Sequence, residues 1–408
     1  MAQVPEQAGP RQATARPCAA LRGTVAGVPG PDAPRSLTVR GTQLPVVGRA
    51  RVYVCGITPY DTTHLGHAST FVWTDTAVRV LRATGVEVDV CRNVTDLDDD
   101  MLAAARAADV RYDRLAALQQ FDFERDMSAL GVRPPLHEPR ARTYVPQVIE
   151  LAAALVGRGA AYVRDGSVYF RGAAVAERAG LEREAALALA RSAGGHVDDP
   201  GKDDPLDVAV WQASRDDLDA GGGGGGIVAW PSPWGPGRPG WHAECAAMAL
   251  SLLGPAVDLH AGGADLRFPH HAYEAAHAEA VTGVHPFSRA WMHVGTVGIG
   301  GQKMAKSTGN LVLVGELLKT ARAGALRLAL LDRPWHEDWQ WTPDVLSAAG
   351  ERLDALYSAA GRRGGGSPAA GAVLAALLDD LDVPRALDIA IEAGGAAARS
   401  AVSLLGLP

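Results

Sequence analysis

Cysteine, lysine and long apolar runs are all scarce in this chain of 408 residues. Its four cysteines, Cys18, Cys55, Cys91 and Cys245, are too few and too scattered for a disulfide framework, so we expect a reduced, cytoplasmic protein. No uninterrupted apolar run is long enough to span a bilayer, and the first residues lack the apolar stretch of a signal peptide. The sequence therefore predicts a protein without a membrane partner.

Positive charge is carried almost entirely by arginine. Lys202, Lys303, Lys306 and Lys319 are the only lysines, and two of the four lie between residues 303 and 307. In a chain that otherwise uses arginine, this cluster indicates that compact ammonium groups are needed at one place. The formal net charge of −7 gives no support to a large nucleic-acid surface.

Residues 49–345 show the alternating pattern of an α/β catalytic domain. An apolar run at 51–55 predicts a strand, residues 66–83 predict a helix that stops at Gly85, and the two-residue alternation at 86–90 predicts a second strand. Strand, helix and strand in so short a segment form a βαβ unit. The unit implies a parallel sheet with a right-handed crossover.

The other segments predict an extension, an insertion and a bundle. Residues 1–48 show no sustained period and predict a partly disordered N-terminal extension. A helical insertion is expected at about 100–225, with one strand near 161–170, and the six consecutive glycines at 221–226 predict a flexible loop. Helical periodicity after a Gly-rich linker predicts a small C-terminal helical bundle over 346–408.

Two histidines follow the first strand in the turn His64-Leu-Gly-His67. At the beginning of a helix they would share one face, beside N–H groups that suit a phosphate. Their imidazole donors could stabilise charge that develops on an α-phosphate, and Gly66 would let a nucleotide approach the backbone. The four-residue pattern alone fits two ordinary surface histidines equally well.

The lysine cluster forms a second motif, Lys303-Met-Ala-Lys306-Ser307. Two ammonium groups on a glycine-flanked loop can hold a leaving pyrophosphate, because nucleotidyl transfer needs mainly positioning and charge neutralisation. A solvated basic loop is the ordinary alternative. Together and in this order, the two motifs resemble the His-Ile-Gly-His and Lys-Met-Ser-Lys-Ser motifs of class I aminoacyl-tRNA synthetases. The resemblance implies their Rossmann-like parallel sheet, and Ala305 is the main departure from the pattern.

A third set of residues could bind a metal ion. Cys55 ends the first strand, Cys245 lies in Gly240-Trp-His-Ala-Glu-Cys245, and His270 and Glu274 are four residues apart, as on one helix face. No Cys-x-x-Cys pair occurs in the chain. By spacing alone, two buried structural cysteines and a helical histidine are the better interpretation.

The stretches 93–99, 237–245 and 263–271 resemble the cysteinyl-tRNA synthetase branch of that superfamily. The resemblance implies a zinc ion that takes the thiol of substrate cysteine directly. Its implied ligands are Cys55, Cys245, His270 and Glu274. It also implies a set of residues that bind cysteine and the nucleotide: Gly56, Thr58, Thr95, Trp241, Gly263, Asp265, Lys303 and Lys306.

Zinc coordination makes chemical sense for an enzyme that must choose cysteine. A hydrogen-bonding pocket would struggle to prefer cysteine over serine, since a thiol is a poor donor and serine still fits. A zinc ion prefers thiolate strongly and lowers its pKa, so coordination provides a discrimination that pocket shape does not.

The branch contains enzymes that charge tRNA and ligases that join cysteine to the amine of glucosaminyl-inositol in mycothiol biosynthesis. The amino-acid sequence at 55–61 and 230–242 is similar to that of the ligases. The chain also stops soon after its helical bundle, where we expect a charging enzyme to continue into an anticodon-binding domain. We therefore expect a monomeric ATP-dependent ligase whose partners are cysteine, ATP and glucosaminyl-inositol, without tRNA. Mg²⁺ could accompany the ATP.

Three alternatives stay open at this point. The acceptor could be tRNA or another amine. The chain could also be a catalytically silent zinc-binding relative, although such a protein would have no physical need for the two intact motifs. The fourth metal ligand is also open. Glu274 matches the ligand of the charging enzymes but is not expected to ligate in many of the ligases, and His277 lies one turn further along.

Overall fold

The computed structural model describes residues 36–60, 63–97, 99–214, 229–304 and 309–408. Most of the predicted N-terminal extension, the glycines at 221–226 and Lys306 lie outside the described residues.

The strands within this part of the chain are β1 (Thr38–Val39), β2 (Thr42–Gln43), β3 (Arg49–Ile57), β4 (Glu87–Val94), β5 (Ala161–Arg164), β6 (Ser167–Phe170), β7 (Val208–Ala213), β8 (Gly237–Pro239), β9 (Val257–Gly263), β10 (Ser288–Val294), β11 (Val297–Ile299), β12 (Gln302–Lys303) and β13 (Trp339–Gln340). The helices are α1 (Leu65–Ala83), α2 (Asp99–Ala107), α3 (Tyr112–Ala129), α4 (Val145–Gly157), α5 (Ala173–Arg178), α6 (Arg183–Ser192), α7 (Trp241–Leu253), α8 (Ala272–Thr282), α9 (Val314–Leu317), α10 (Ala323–Leu331), α11 (Pro343–Gly361), α12 (Ser367–Leu378), α13 (Val383–Ala393) and α14 (Gly395–Leu404).

The central sheet has the strand order β10-β9-β3-β4, and all of its strand pairs are parallel. Residues alternate between its two faces, as the strand period requires. Val52 and Val54 of β3 belong to the core that includes α1, whereas Tyr53 and Cys55 belong to the core that includes α7 and α8. The predicted βαβ unit is thus β3, α1 and β4, and the predicted α/β fold with a parallel sheet is confirmed.

A buried ion pair fixes α1 against the helices that follow the lysine motif at residues 303–307. Arg327 of α10 is fully buried and donates to the Asp75 carboxylate of α1 at 2.6 Å. Its other N–H groups donate to the backbone carbonyls of Leu130 and Leu405 at 2.9 and 2.6 Å. One guanidinium therefore ties α1 to α10 and to the C-terminal helices, and satisfies most of its donors in doing so.

A second sheet is formed by strands of the helical insertion and by β8, which follows it in the chain. Its strands β5-β6-β7-β8 are antiparallel, and the segment predicted as one strand near 161–170 is a hairpin. The chain turns at Asp165 and Gly166, both with positive φ, as a tight hairpin turn requires. Among the described helices, none is both long and apolar enough to cross a membrane.

Candidate active site

The carboxyl ends of β3 and β9 bring two predicted groups of residues to one edge of the sheet. The strands are direct neighbours, with Val54 opposite Ala261. The chain leaves β3 toward His64 and leaves β9 toward Asp265. In open parallel sheets, ligands bind at this edge. The fold therefore places the histidine turn and the predicted nucleotide-binding residues on the same side of the sheet.

A bulge in β3 includes the backbone at Cys55 and Gly56. Val54 pairs with Arg92 and Ile57 pairs with Val94, so β3 carries one more residue than β4 over this stretch. Bulges of this kind change the direction of a side chain and are common beside active sites. A Cβ on Gly56 would lie 1.7 Å from the backbone oxygen of Asn93. The structure thus provides a backbone reason for glycine at 56, whereas its contact with substrate stays a prediction.

Replacing Gly56 with alanine is expected to lower the free energy of unfolding by about 3 kcal/mol or more, because the new methyl group meets backbone rather than a movable side chain. Urea denaturation followed by circular dichroism measures this. Gly157 is the matched control, since a Cβ there meets nothing within 4 Å and the residue ends a helix. Gly157→Ala should change stability by less than about 1 kcal/mol. Equal stability of the two variants would contradict the account of the bulge.

The four predicted metal ligands come together. The sulfurs of Cys55 and Cys245, a ring nitrogen of His270 and a carboxylate oxygen of Glu274 all lie within 4.8 Å of one another, and all four residues are buried. His270 Nε2 is 3.3 Å from Cys245 Sγ, and Cys55 Sγ is 3.7 Å from Glu274 Oε2. Three separate parts of the chain supply these donors, so the structure contains a group that could hold a metal ion.

Burial governs the protonation of this group. It raises the pKa of the Cys55 thiol well above its usual value. The pKa of Cys245 is raised as well: its hydrogen bond with Cys55 lowers it, but burial and nearby carboxylates, chiefly that of Glu274, outweigh that effect. Burial lowers the pKa of His270 well below its usual value, so its imidazole is neutral, as a metal ligand must be.

Two histidines that the sequence did not single out complete the surroundings of Glu274. His260 Nε2 lies 2.9 Å from Glu274 Oε1, which leaves the other carboxylate oxygen facing Cys55. Cys55, Glu274, His260 and His271 form a second, overlapping group of possible donors. The available signal was a histidine inside β9, an otherwise apolar strand.

His277, the alternative fourth ligand, stands outside both groups. Its ring packs edge-on against Phe170, with a centroid distance of 4.6 Å, and burial lowers its pKa to about 3. Glu274 is therefore the better placed of the two candidates.

Two predicted pocket residues lie beside the metal-binding group. The indole of Trp241 packs on the His270 ring at 4.2 Å between centroids. Thr95 is buried, and its hydroxyl accepts a hydrogen bond from Asn93, whose amide also reaches Cys245 Sγ. Both positions are consistent with walls of a small pocket around the sulfurs.

His64 and His67 stack at the beginning of α1, with ring centroids 3.9 Å apart. His64 is the N-cap of the helix, and its Nδ1 accepts a hydrogen bond from the Gly66 N–H at 3.1 Å. This bond leaves the proton of a neutral ring on Nε2, as a donor. A Cβ on Gly66 would lie 2.8 Å from His64 Cε1, so glycine at 66 makes room for the ring.

The segment after the lysine motif is joined to the histidine turn. The backbone N–H of Leu65 donates to the carbonyl of Val312 at 3.0 Å, and that of Val314 donates to Thr63 at 3.0 Å. Lys303 Nζ lies 2.8 Å from Asp265 Oδ2, and both side chains are about half exposed, at 50% and 52%. Such an exposed ion pair contributes little, roughly 0–1 kcal/mol, so a substrate can readily displace it.

The chain is similar in sequence to a family of class I synthetases and to cysteine ligases. Residues 43–351 match the family described as tRNA synthetases class I (C) catalytic domain. A relative from Acidothermus cellulolyticus, an L-cysteine:1D-myo-inositol 2-amino-2-deoxy-alpha-D-glucopyranoside ligase, is 45% identical over 83% of this chain and 83% of its own. A ligase of the same name from Thermomonospora curvata is 43% identical over 89% of this chain and 88% of its own.

Two solved structures share the fold at low identity. A methionyl-tRNA synthetase from Mycobacterium tuberculosis, in complex with methionyl-adenylate, superposes with a TM-score of 0.58 at 18% identity, covering 88% of this chain and 82% of its own. A putative arginyl-tRNA synthetase from Campylobacter jejuni superposes with a TM-score of 0.57 at 12% identity, covering 87% and 85%.

Proposed function

This chain belongs to the family of L-cysteine:1D-myo-inositol 2-amino-2-deoxy-alpha-D-glucopyranoside ligases within the class I (C) synthetases, and on that premise we propose that it joins cysteine to the amine of glucosaminyl-inositol. It is an ATP-dependent cysteine ligase, and the step would belong to mycothiol biosynthesis. The observation that carries the proposal is the buried group of two cysteines, a histidine and a glutamate, found in the same domain as the stacked histidine pair.

The donor set fits zinc. Thiolate and imidazole are preferred zinc ligands, and ligand atoms on a tetrahedron around zinc lie roughly 3.3–3.8 Å apart. The distances of 3.3 Å between His270 and Cys245 and 3.7 Å between Cys55 and Glu274 agree with that spacing. A zinc ion held there would supply a Lewis acid that binds the thiol of cysteine. The protein's own part is to bury the site and to place Trp241 and Thr95 around the amino acid.

The first reaction step would form cysteinyl adenylate. The carboxylate of cysteine attacks the α-phosphate of ATP, and the bond to the leaving pyrophosphate breaks. His64 and His67, at the positive end of α1, would donate to the phosphate oxygens as charge develops there. Lys303 and Lys306 would neutralise the pyrophosphate, once Lys303 releases Asp265 to the nucleotide.

The second step would form the amide. The free amine of glucosaminyl-inositol attacks the carbonyl carbon of the adenylate, AMP leaves with the bonding electron pair, and the amine loses a proton. The energy of the mixed anhydride drives this step, so the chain must chiefly hold the acceptor near the adenylate.

An acceptor assay tests the proposal. The protein is incubated with ATP and labelled cysteine, together with either glucosaminyl-inositol or total tRNA, and products are separated by chromatography. We expect a labelled amide and AMP with the amino sugar and no label on the tRNA. Labelled tRNA without amide would assign the chain to the charging enzymes instead. A Lys306→Ala variant with full turnover would contradict the role of the lysine motif.

A further inference from the structure

One buried carboxamide bonds to Cys245 and to Gly56, the residue that follows Cys55. The chain contains only two asparagines, Asn93 and Asn310. Asn93 lies in β4 and is 1% exposed. It makes three hydrogen bonds: Oδ1 accepts from the Gly56 N–H at 2.8 Å, and Nδ2 donates to Thr95 Oγ1 at 2.9 Å and to Cys245 Sγ at 3.4 Å.

The orientation of this carboxamide follows from its surroundings. The partner at Gly56 is a backbone N–H, which can only donate, so the oxygen of Asn93 must face it. The amide nitrogen is thereby turned toward Thr95 and Cys245. Each of its two hydrogens has one acceptor there, a hydroxyl oxygen and a sulfur.

The bond to Gly56 also provides an acceptor for a backbone N–H at the bulge. The extra residue in β3 takes the N–H of Gly56 out of the regular ladder between β3 and β4. A backbone N–H left without an acceptor inside the protein is destabilising, and Asn93 provides the acceptor for Gly56. The side chain thus stabilises the bulge next to Cys55, while its other end contacts Cys245.

We propose that Asn93 is a positioning residue of the metal centre, which holds the bulge next to Cys55 in place and fixes the direction of Cys245 Sγ through an N–H···S hydrogen bond. The inference rests on the proposed metal-dependent function and deepens it. A donor to a metal-bound thiolate offsets part of its negative charge and fixes its direction, as outer partners of metal ligands do. Because the same amide also donates to Thr95, it fixes the position of the Thr95 hydroxyl relative to Cys245 Sγ.

A role limited to the backbone makes a different prediction. Aspartate has the same shape and would still accept from the Gly56 N–H, but it would turn a second oxygen toward Cys245. If Asn93 serves only the bulge, Asn93→Asp should therefore leave the metal centre unchanged. If the N–H···S bond matters, its loss and the repulsion between the new carboxylate and the sulfur weaken the centre, and scalar coupling to bound ¹¹³Cd reports on the bond itself.

The first experiment measures metal affinity by competition with a chelator, and records the absorption spectrum after substitution with Co²⁺. We expect Asn93→Asp to lower the affinity by about 10–100-fold and to shift the sulfur-to-cobalt charge-transfer band. Thr74→Val is the matched control, because it removes another buried hydrogen bond, from Thr74 to the Thr70 carbonyl in α1. It should leave both readouts unchanged.

If the Asn93→Asp variant has the same metal affinity and the same cobalt spectrum as the unmodified protein, the inference about Asn93 is overturned, while the metal centre itself is not. Absence of metal from the unmodified protein would overturn the metal centre itself, so the two failures are distinguishable.

A second measurement needs no substitution at Asn93 and stands even if that variant fails to fold. Labelling asparagine alone with ¹⁵N yields two side-chain amide signals, and Asn310→Ser identifies the one from Asn93. After loading with ¹¹³Cd, we expect scalar coupling between the metal and an Asn93 amide proton, transmitted through the N–H···S bond. Cadmium bound without that coupling would contradict the proposal.

Discussion

Cys245→Ala is expected to remove the metal from the protein and to abolish cysteine activation. Cys245 contributes one of the two sulfurs in the group, is 1% exposed and lies 3.3 Å from the His270 ring nitrogen. The three remaining donors, Cys55, His270 and Glu274, do not make up for the lost thiolate, because zinc binds thiolate sulfur strongly. Metal affinity should fall by more than about 100-fold, beyond the range expected for a change outside the ligands themselves.

The measurement combines metal analysis after dialysis with cysteine-dependent exchange between ATP and pyrophosphate. Cys91→Ala is the matched control, because Cys91 is fully buried in the same core but belongs to neither donor group. It should lose some stability but keep its metal. Full metal content and activity in Cys245→Ala would show that the cysteines are structural.

His67→Ala is expected to lower the rate constant of cysteine-dependent pyrophosphate exchange by about 10²–10³-fold, with little change in metal content. Its ring stacks on His64 at the beginning of α1, where charge on an α-phosphate would develop. Loss of a donor that acts only in the transition state lowers kcat and leaves KM nearly unchanged. His67 is the cleaner choice, since His64 also caps the helix and its loss would cost about 1 kcal/mol of stability.

His285→Ala provides the control for this second prediction. The His285 side chain is 60% exposed and pairs with Glu279 at the surface. Its removal should leave exchange unchanged. An equal loss of activity in both variants would mean that the effect at residue 67 is not specific to the reaction.

Periodicity predicted the central elements closely. The expected helix at 66–83 is α1 (Leu65–Ala83), and the strand expected at 86–90 is β4 (Glu87–Val94). These elements have clear apolar patterns and a glycine stop signal, so local sequence determines them. The hairpin of β5 and β6 was expected as one strand, because a two-residue turn at Asp165 and Gly166 barely interrupts the pattern.

The candidate site depended on tertiary relations that spacing does not reveal. Cys55 and Cys245 are far apart in sequence, and only the family resemblance indicated that they meet. His260 remained unnoticed because one histidine in an apolar strand has no periodic signature. Gly56 was assigned to substrate, whereas its close approach to Asn93 depends on a bulge, which a continuous apolar run conceals.

The central claim is that this chain selects and activates cysteine at a metal-binding site. The most direct test is exchange between ATP and labelled pyrophosphate, measured with cysteine or serine, in the zinc-loaded protein and after removal of zinc by a chelator. We predict rapid exchange with cysteine, very little with serine, loss of exchange on chelation and recovery when zinc is restored. Equal exchange with serine, or undiminished exchange in the metal-free protein, would contradict the account.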